Sequence, residues 1–369
     1  MRHCILLFTL FAATALAADV DAPYVMRGND GDYQAWFVDT SSGRAEMRVD
    51  SLEHGGSITV GAVGDVPSFT VKLRKPASAP PDTVVTRKGA PLFIVADTHG
   101  EYEILAGMLV QQHVVDPQLH WSFGRGHLVV LGDVMDRGAH QTEILWLLYQ
   151  LEAEADKAGG GLDLVLGNHE TMELLGDQRY LNPRYLEVMK TLGVQSYSQL
   201  FDRNSVLGQW LRTRATMLKV NGLLCLHGGA SPELLARQLP LHDINEAVRD
   251  ALYEGPPGDA AARERGAFLL GEKGPLWYRG YFPAAAGGAT ATADDIARIR
   301  QFYGVERIVV GHTIVPTITP LYGGDVIAVQ VYPRHVATFE VSFEALLIKA
   351  GVPYRARPDG STERLQLAN

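Results

Sequence analysis

Five short apolar runs of this chain end in side chains that can ligate metal ions. A continuous apolar run that stops at Gly, Asp or His is typical of a buried parallel strand leading into a loop. In open α/β sheets, the loops at the carboxyl ends of such strands carry the chemistry. The runs and the polar residues that end them are LFIVADTHG with Asp97 and His99, HLVVLGDVMDRG with Asp133 and Asp136, LDLVLGNHE with Asn168 and His169, LLCLHGG with His227, and RIVVGHT with His312.

These endings contain more ligand groups than one metal ion needs. The ligand set that we take from them has two carboxylates (Asp97 and Asp133), one amide oxygen and three imidazoles, with His169 left over. Such a mixture of oxygen and nitrogen ligands suits a pair of borderline divalent cations. A single His after a strand is more often a hydrogen-bonded loop residue, so the inference depends on all five runs together. Their combination predicts a hydrolase that uses two metal ions.

The elements that position these loops follow from the pattern along the chain. From Pro91 onward, strands alternate with helical patterns, which predicts βαβ units and a layered α/β catalytic domain over residues 88–348. Residues 172–222 contain no strand-to-loop motif, and we expect a helical, cap-like segment over the same rim. Residues 349–369 are polar with Pro and Gly, so we expect a frayed tail.

The N-terminal part of the chain contains two predicted units. Residues 1–17 have the form of a secretory signal: Arg2 precedes the apolar stretch 4–12, and Ala15-Leu16-Ala17 offers a small-residue cleavage site. This stretch is too short to span a membrane, so we expect a secreted, periplasmic protein. Residues 18–80 contain short β-prone runs, turn signals and a Pro-rich linker, which predict a small antiparallel β module.

Composition limits the class of protein. The 369 residues are 46% hydrophobic and 20% charged, as expected for a globular chain that buries a sizeable core. The formal charge is −9 and no basic stretch occurs, so nucleic acid is not an expected partner. Loss of Cys4 with the signal would leave Cys225 alone, which we expect to be buried and without a disulfide. No feature of the sequence indicates an oligomeric state.

The same motifs resemble those of the phosphoprotein phosphatase family of calcineurin-like, binuclear metallophosphoesterases. The family pattern GDxHG, GDxxDRG, GNHE, HGG and GHT is matched, in this order, by segments that begin at Ala96, Gly132, Gly167, His227 and Gly311. Ala96 stands where the family usually has Gly; both ligands of that motif remain, so we expect a small backbone adjustment and no lost metal. The resemblance implies a four-layer αββα sandwich of two mixed sheets covered by helices.

Within this family, three features most resemble the bacterial Shewanella-like protein phosphatases. They are the run WSFGRGHLVVLGD before the second motif, the secretory start, and the segment Gly274-Pro275-Leu276-Trp277-Tyr278-Arg279. Membership of this subgroup implies activity on phosphoproteins, with phosphotyrosine favoured.

The resemblance also implies a role for each ligand position. The ligands implied for one ion are Asp97 and His99, those for the other are Asn168, His227 and His312, and the bridging carboxylate is Asp133. Two adjacent cations repel each other, and a shared carboxylate with a shared hydroxide relieves that repulsion. The attacking hydroxide would lie between the ions, which lower the pKa of water toward neutrality. Mn, Fe or Zn could occupy the sites, because His, Asn and carboxylate ligands serve all three.

Four further residues are implied to act on the substrate. His169 would be the general acid that protonates the leaving oxygen, oriented by Asp136; its alternative role is a hydrogen-bonded neighbour of the metal site. Arg137 and Arg279 would clamp the phosphoryl group, because a planar guanidinium binds two oxygens at once. The alternative for Arg279 is a surface ion pair.

These features predict a metal-dependent phosphomonoesterase acting on phosphoproteins or phosphopeptides. One alternative is a small-molecule phosphohydrolase that cleaves diadenosine tetraphosphate or nucleotides, and the shape of residues 172–222 would discriminate the two. A phosphodiesterase is disfavoured, because that branch ends in GHxH, whereas Ile314 holds the fourth position here. The alternative of another class is a non-catalytic phosphate- or protein-binding module, which the intact set of ligands argues against.

Selectivity is expected to come from the two parts of the chain that supply no ligand. The cap-like segment carries five aromatic or basic residues that could contact a phosphorylated side chain, namely Arg179, Tyr180, Tyr185, Arg203 and Arg214. We further expect that removal of residues 19–80 leaves hydrolysis of a small aryl phosphate nearly intact, whereas substitutions in 172–222 change peptide preference.

Overall fold

The computed structural model describes most of the chain. The described residues are 21, 23–28, 32–53, 55–76, 78–254, 259–283, 291–331 and 343–367. The signal predicted at residues 1–17 lies outside them. Over these ranges, no helix is both long enough and apolar enough to cross a membrane.

Strands and helices alternate through the catalytic region, as the sequence pattern predicted. The strands are β1 (Tyr24–Arg27), β2 (Tyr33–Asp39), β3 (Glu46–Leu52), β4 (Ser57–Val60), β5 (Phe69–Lys72), β6 (Thr83–Val84), β7 (Leu92–Val95), β8 (His127–Val130), β9 (Gly161–Leu164), β10 (Met217–Val220), β11 (Leu223–Leu226), β12 (Arg307–Val310), β13 (Thr319–Leu321), β14 (Val326–Ala328), β15 (Ala345–Lys349), β16 (Val352–Ala356) and β17 (Thr362–Arg364). The α-helices are α1 (Tyr102–Gln111), α2 (Gln141–Ala158), α3 (Asn168–Leu174), α4 (Pro183–Leu192), α5 (Val206–Arg212), α6 (Pro232–Ala236), α7 (Leu241–Glu254), α8 (Ala260–Leu269) and α9 (Ala293–Tyr303).

Two six-stranded mixed sheets bring the predicted loops to one rim. The first sheet has the order β17-β16-β15-β7-β8-β9, in which β7, β8 and β9 are parallel. The second has the order β13-β14-β12-β11-β10-β6, in which β11 and β12 are parallel. Val95 pairs with Val130, and Leu226 pairs with Val310, so the carboxyl ends of these strands are level. The loops that follow them therefore start side by side.

The central strands are buried on both faces. Every residue of β7, β8 and β11 is buried, so each sheet is covered on both sides. Helix α2 packs on β9 and helix α7 packs on β10, while the strands of both sheets share one hydrophobic core. Each fully buried Leu or Val contributes roughly 1.5–3 kcal/mol to this core. The arrangement agrees with the expected four-layer αββα sandwich.

The N-terminal β module is present, but it is joined to the catalytic domain by buried contacts. Strands β1, β2 and β3 form an antiparallel sheet, and β4 and β5 form a hairpin. Tyr24, which is 2% exposed, donates a hydrogen bond to Asp21 at 2.7 Å. Trp146 of α2 donates to the carbonyl of Pro23 at 2.8 Å, and Arg184 of α4 pairs with Asp21 at 3.0 Å. Removal of residues 19–80 would expose this core, so we no longer expect the truncated chain to keep its activity.

The predicted frayed tail is wrong. Strands β16 and β17 extend the first sheet in antiparallel pairing, and Leu365 beyond them is only 2% exposed. The turn between β15 and β16 has Ala350 and Gly351 at φ values of 49° and 78°, which is the primed turn that suits a two-residue hairpin. Asn-Gly or Asp-Gly usually marks this turn, so the Ala-Gly pair concealed it.

Two other predicted boundaries shift. Residues 172–222 contain α4 and α5 as expected, but the segment ends in β10, a strand inside the second sheet. Strand β6 pairs in parallel with β10, so the catalytic sheets begin at Thr83, before the expected start at residue 88. β6 has only two residues, and Lys219 interrupts the apolar run of β10, so the sequence pattern marked neither strand.

Candidate metal centre and active site

The loops at the rim hold the predicted residues in unusual backbone conformations. Positive φ angles occur at Asp97 (53°), His99 (43°), Asp133 (52°), Asp136 (68°) and His312 (60°). This left-handed conformation costs a non-glycine residue about 1–2 kcal/mol, so it persists only where the surrounding structure imposes it. Its concentration after β7, β8 and β12 is typical of a functional site.

Glycines allow these loops to approach each other closely. A Cβ on Gly132, where φ is 75°, would lie 2.2 Å from the backbone nitrogen of Gly167. A Cβ on Gly138 would lie 2.1 Å from the carbonyl oxygen of His99. Because both neighbours are backbone atoms that cannot move aside, only glycine fits. Ala96, at the departure from the family pattern, is fully buried, and the ligands after it remain at the site.

Asp133 lies at the centre of the predicted ligand set. Its Oδ2 is 3.2 Å from Nε2 of His227, 3.6 Å from Nε2 of His99 and 3.8 Å from Nε2 of His169. Asp133 forms one group with His99 and His169 and another with His227 and His312, and the ligand atoms of each group lie within 4.8 Å of one another. One carboxylate is therefore common to two candidate cation sites, as the resemblance implied.

The remaining predicted ligands border the same two groups. Oδ1 of Asn168 lies 3.0 Å from Nε2 of His227, and Nδ1 of His312 lies 3.1 Å from the same nitrogen. Oδ2 of Asp97 accepts a hydrogen bond from the backbone N–H of His312 at 3.1 Å. The structure thus brings together all six predicted ligands. His169 also lies in one group, although it was not predicted to be a ligand.

Backbone carbonyls orient two of the imidazoles. Nδ1 of His99 donates to the carbonyl of Met135 at 2.9 Å, and Nδ1 of His227 donates to the carbonyl of Leu131 at 2.6 Å. With Nδ1 bonded to a carbonyl, each ring turns its Nε2 toward Asp133. Hydrogen bonding of the second ring nitrogen is the usual arrangement of a metal-ligating histidine.

The donor set fits divalent cations. Oδ1 of Asp97 and Nε2 of His312 are buried, and neither has a hydrogen-bond partner among the described residues. Buried polar atoms are nearly always satisfied in proteins, so these two lone pairs are free to bind a ligand. Imidazole nitrogens with carboxylate and amide oxygens suit Mn, Fe or Zn.

Electrostatics keeps Asp133, His99 and His312 in the forms that bind cations. Burial acts to raise the pKa of Asp133, but the imidazoles around it, His227 foremost, hold that pKa well below its ordinary value. Burial lowers the pKa of His99 to about 3 and that of His312 well below its usual range. Burial beside Asp133 raises the pKa of Asp97 to about 8, a shift that a bound cation would reverse. Burial acts to lower the pKa of His227, but Asp133 and Asp97 outweigh it and raise that pKa to about 9, a shift that a bound cation would also reverse.

His169 and Asp136 form the predicted acid pair. Nδ1 of His169 donates to Oδ2 of Asp136 at 2.6 Å, and its Nε2 lies beside the guanidinium of Arg137 at 3.4 Å. The backbone N–H of Asp136 donates to Gln141 at 2.5 Å, and Gln141 donates in turn to Glu173 at 3.1 Å. Burial lowers the pKa of His169, but the two neighbouring carboxylates outweigh it and raise that pKa. The ring can therefore carry a proton into the cavity.

Hydrogen bonds to neighbouring loops hold the two predicted arginines in place. The backbone N–H of Arg137 donates to the carbonyl of Tyr180 at 2.9 Å, and its carbonyl accepts from Asn182 at 2.7 Å. Arg279 donates to the carbonyl of His312 and, at 3.0 Å, to the hydroxyl of the next residue. Arg279 is therefore bound to the last motif, which disfavours the alternative of a surface ion pair.

One cavity of about 210 Å³ contains most of the predicted residues. Its lining consists of Asp97, His99, Asp133, Arg137, Asn168, His169, Tyr180, Trp277, Arg279, His312, Ile314 and Gln330. Asp136 and His227 are fully buried behind this lining, where each supports a residue that faces the cavity. The volume is below that of a drug-sized pocket, about 300 Å³ or more, and suits a phosphoryl group with the first atoms of its leaving group.

Sequence reasoning missed the role of Glu170. Its fully buried carboxylate accepts hydrogen bonds from four backbone N–H groups, those of Asp133 (2.8 Å), Val134 (2.8 Å), Met135 (3.0 Å) and Gly167 (2.7 Å). It thereby fixes the loop after β8 against the start of α3. The signal was present in GNHE, because Glu three residues after a helix N-cap is a capping-box pattern.

Only one of the five residues expected as substrate contacts in 172–222 lines the cavity. That residue is Tyr180, which is 45% exposed. Tyr185 and Arg214 are buried in the protein, and Arg179 pairs with a neighbouring carboxylate at 2.7 Å. Arg203 is exposed outside the cavity. Burial could not be read from these residue types alone, because aromatic and arginine side chains occur both in cores and on surfaces.

Residues 90–316 match the family described as Calcineurin-like phosphoesterase. This match covers more than half of the chain, and the protein therefore belongs to that family. Among solved structures, it is similar to the cold-active protein-tyrosine phosphatase of a psychrophilic Shewanella species, with 33% identity and a TM-score of 0.80 over 94% of this chain and 100% of that one.

Curated proteins of the same kind are more distantly similar. Shewanella-like protein phosphatase 2 of Arabidopsis thaliana is 26% identical over 60% of this chain and 66% of its own length. Shewanella-like protein phosphatase 1 of Plasmodium berghei is 27% identical over 61% of this chain and 62% of its own. A symmetrical bis(5'-nucleosyl)-tetraphosphatase of Methylobacillus flagellatus is 28% identical over 44% and 52%. The chain thus spans just under two thirds of the first two relatives.

These similarities confirm the predicted family and the predicted fold. The predicted class of enzyme, a phosphoric monoester hydrolase of the metallophosphoesterase type, agrees with the phosphatases among these relatives. The roles of the individual site residues stay predictions, now with a geometry that brings them together.

Proposed function

We propose that this protein is a metal-dependent phosphomonoesterase that hydrolyses phosphoproteins and favours phosphotyrosine. The observation that carries the proposal is the convergence on one cavity of a shared carboxylate (Asp133), an imidazole bonded to a carboxylate (His169) and two guanidinium groups (Arg137 and Arg279). Similarity to a protein-tyrosine phosphatase over 94% of the chain supports the choice of substrate. The N-terminal sequence supports the periplasm as its place of action.

Two divalent cations, of Mn, Fe or Zn, are part of this proposal. The proposed ligands are Asp97 and His99 for one ion, Asn168, His227 and His312 for the other, and Asp133 for both. When bound, the cations would supply an activated water molecule and polarise the phosphoryl oxygens.

Arg137 and Arg279 bind and orient the phosphoryl group. Phosphoryl transfer spreads negative charge over three oxygens, which two planar guanidinium groups can contact at once. Arg279 is already held by the last motif, so little of its side-chain freedom is lost when the substrate binds.

His169 donates its Nε2 proton to the leaving oxygen. Asp136 accepts a hydrogen bond from Nδ1–H of His169 and stabilises the positive charge of the ring before the proton is transferred. The same hydrogen bond persists in the neutral ring after the transfer. A positioned general acid is typically worth ~10²–10⁴ in rate, and most when the leaving group is a poor one.

The competing function is cleavage of a small molecule such as a dinucleoside polyphosphate. In sequence, similarity to the tetraphosphatase covers 44% of the chain, against 60% for Shewanella-like protein phosphatase 2, and this difference favours the phosphoprotein substrate. A non-catalytic binding module is disfavoured because every residue needed for hydrolysis lines or supports the cavity.

A comparison of substrates tests the proposal. The full chain, loaded with Mn²⁺, is assayed with phosphotyrosine and phosphoserine peptides and with diadenosine tetraphosphate. We expect the highest kcat/KM for the phosphotyrosine peptide and loss of activity on chelation. Faster cleavage of the dinucleotide would favour the small-molecule function. Binding of phosphate without hydrolysis of any substrate would favour a binding module.

A further inference from the structure

Two aromatic rings that are not buried, those of Tyr180 and Trp277, line the cavity together with its polar side chains. Tyr180 lies beside the acid, with its ring centroid 5.2 Å from that of His169. Trp277 lies beside a metal ligand, with its ring centroid 5.6 Å from that of His312 and the two planes at 88°. His169 follows a strand of the first sheet and His312 a strand of the second, so the two rings neighbour side chains from different sheets.

The proposed chemistry determines where the leaving group lies. Its oxygen must come within about 3 Å of Nε2 of His169 to receive the proton. The atoms bonded to that oxygen then lie next to Tyr180, the aromatic neighbour of His169. A phenolic leaving group presents a flat apolar face there, and aromatic rings pack favourably at centroid distances of about 4.5–7 Å. A seryl leaving group offers one methylene.

Tyr180 is hydrogen-bonded to the loop after β8 that carries Arg137. Its carbonyl accepts from the backbone N–H of Arg137 at 2.9 Å. The guanidinium of Arg137 lies 5.6 Å from the centre of the Tyr180 ring, and that of Arg179 lies 5.8 Å from it. These are cation–π distances, which hold the ring near its place at an exposed site. The backbone contacts do not involve the ring, so they survive its removal.

We propose that Tyr180 is a specificity-determining residue whose ring packs against an aryl leaving group, with Trp277 as a second ring in the lining of the cavity. It thereby selects phosphotyrosine over phosphoserine. This inference rests on the proposed function, because it takes His169 as the acid and a phosphoprotein as the substrate. The packing of one aromatic pair corresponds to roughly three- to tenfold in kcat/KM.

The kinetic test uses one peptide in phosphotyrosine and phosphoserine forms. We expect Tyr180→Ala to lower kcat/KM for the phosphotyrosine form about three- to tenfold and for the phosphoserine form less than about twofold. Tyr180→Phe, which keeps the ring, should retain the wild-type ratio. Phe302→Ala, which removes a ring that is 36% exposed on α9, is the matched control and should change neither rate. An equal loss on both peptides, or no loss, would overturn the inference.

A binding measurement separates this inference from the proposed function. Calorimetry on the metal-loaded protein compares phenylphosphonate with methylphosphonate, which share the charged group and differ in the ring. Tyr180→Ala should weaken the binding of phenylphosphonate about three- to tenfold and leave the binding of methylphosphonate unchanged. If the wild type hydrolyses no phosphopeptide, the proposed function fails, and this comparison still decides the role of the ring. Equal weakening of both phosphonates, or of neither, would contradict it.

Discussion

The two sheets contribute different chemistry to the site. The strands of the first sheet lead to Asp97, Asp133 and His169, and thus supply the negative charge and the proposed acid. Those of the second lead to His227 and His312 and supply imidazoles. Neither sheet alone holds a complete pair of cation sites. The comparison shows that this site exists only where the two sheets meet.

Residues of the site also link the two sheets through hydrogen bonds. His227 of the second sheet donates to the carbonyl of Leu131 in the first at 2.6 Å. The backbone N–H of His312 donates to Asp97 across the same boundary at 3.1 Å. Changes to the shared residues should therefore affect both cation sites, whereas changes confined to one sheet should have narrower effects.

The largest effect is expected at the residue that serves both sheets. Asp133→Asn keeps the shape of the side chain but removes the charge common to both groups, so we expect kcat/KM to fall by roughly 10³ or more. His312→Asn changes only the candidate cation site formed with His227, so we expect a smaller fall in kcat/KM. Steady-state kinetics with metal analysis of each variant checks the ranking. The account is contradicted if His312→Asn is the more damaging change.

The next largest effect is expected from substitution of His169, which follows a strand of the first sheet. His169→Asn should retain the metals and slow hydrolysis of an alkyl phosphate by ~10²–10⁴, because its leaving group needs a proton. A reactive aryl phosphate such as p-nitrophenyl phosphate should slow much less. Rates for both esters and the metal content are measured on the same preparation. Equal slowing of the two esters would remove His169 from the role of acid.

A third change tests how firmly the first sheet holds its loops. Glu170→Gln would turn an amide N–H₂ toward backbone donors that the carboxylate now satisfies, so we expect a loss of roughly 2–4 kcal/mol in the free energy of unfolding. Urea unfolding measures this. Glu187→Gln on α4, where the side chain is 72% exposed, is the matched control and should cost little. Similar values for the two variants would show that Glu170 does not support the loop.

The smallest effect concerns the contact between the β module and α4. Burial, with Glu143 nearby, raises the pKa of Asp21 to about 6 from an ordinary value near 4. A raised pKa means that the folded state holds the proton more tightly, so the contribution of Asp21 is complete below about pH 4 and is lost as the pH rises through about 6. We expect the free energy of unfolding to fall by at most about 3 kcal/mol over this range. Urea unfolding from pH 4 to 7 should show it in the wild type and not in Asp21→Asn; identical pH profiles would contradict it.

The sequence was most informative where one strand end determines one ligand. Asp97, Asp133 and His227 could be predicted because a buried apolar run and the residue that stops it are adjacent in the chain. Tyr180 was one of five candidate substrate contacts, and the sequence could not single it out, since its position depends on how residues 172–222 pack against the loop after β8. The limit is different for β16, whose partners β15 and β17 are its neighbours in the chain. There the Ala-Gly turn carries no strong hairpin signal.

The central claim is that Asp133 joins two cations at the meeting of the sheets, and electron paramagnetic resonance of the Mn²⁺-loaded protein tests it most directly. Ions that share a carboxylate lie about 3.5–4 Å apart and are magnetically coupled. We predict two Mn²⁺ per active chain with an exchange-coupled spectrum, which Asp133→Asn should abolish. A fully active chain that binds one Mn²⁺, or two with the spectrum of isolated ions, would contradict the account.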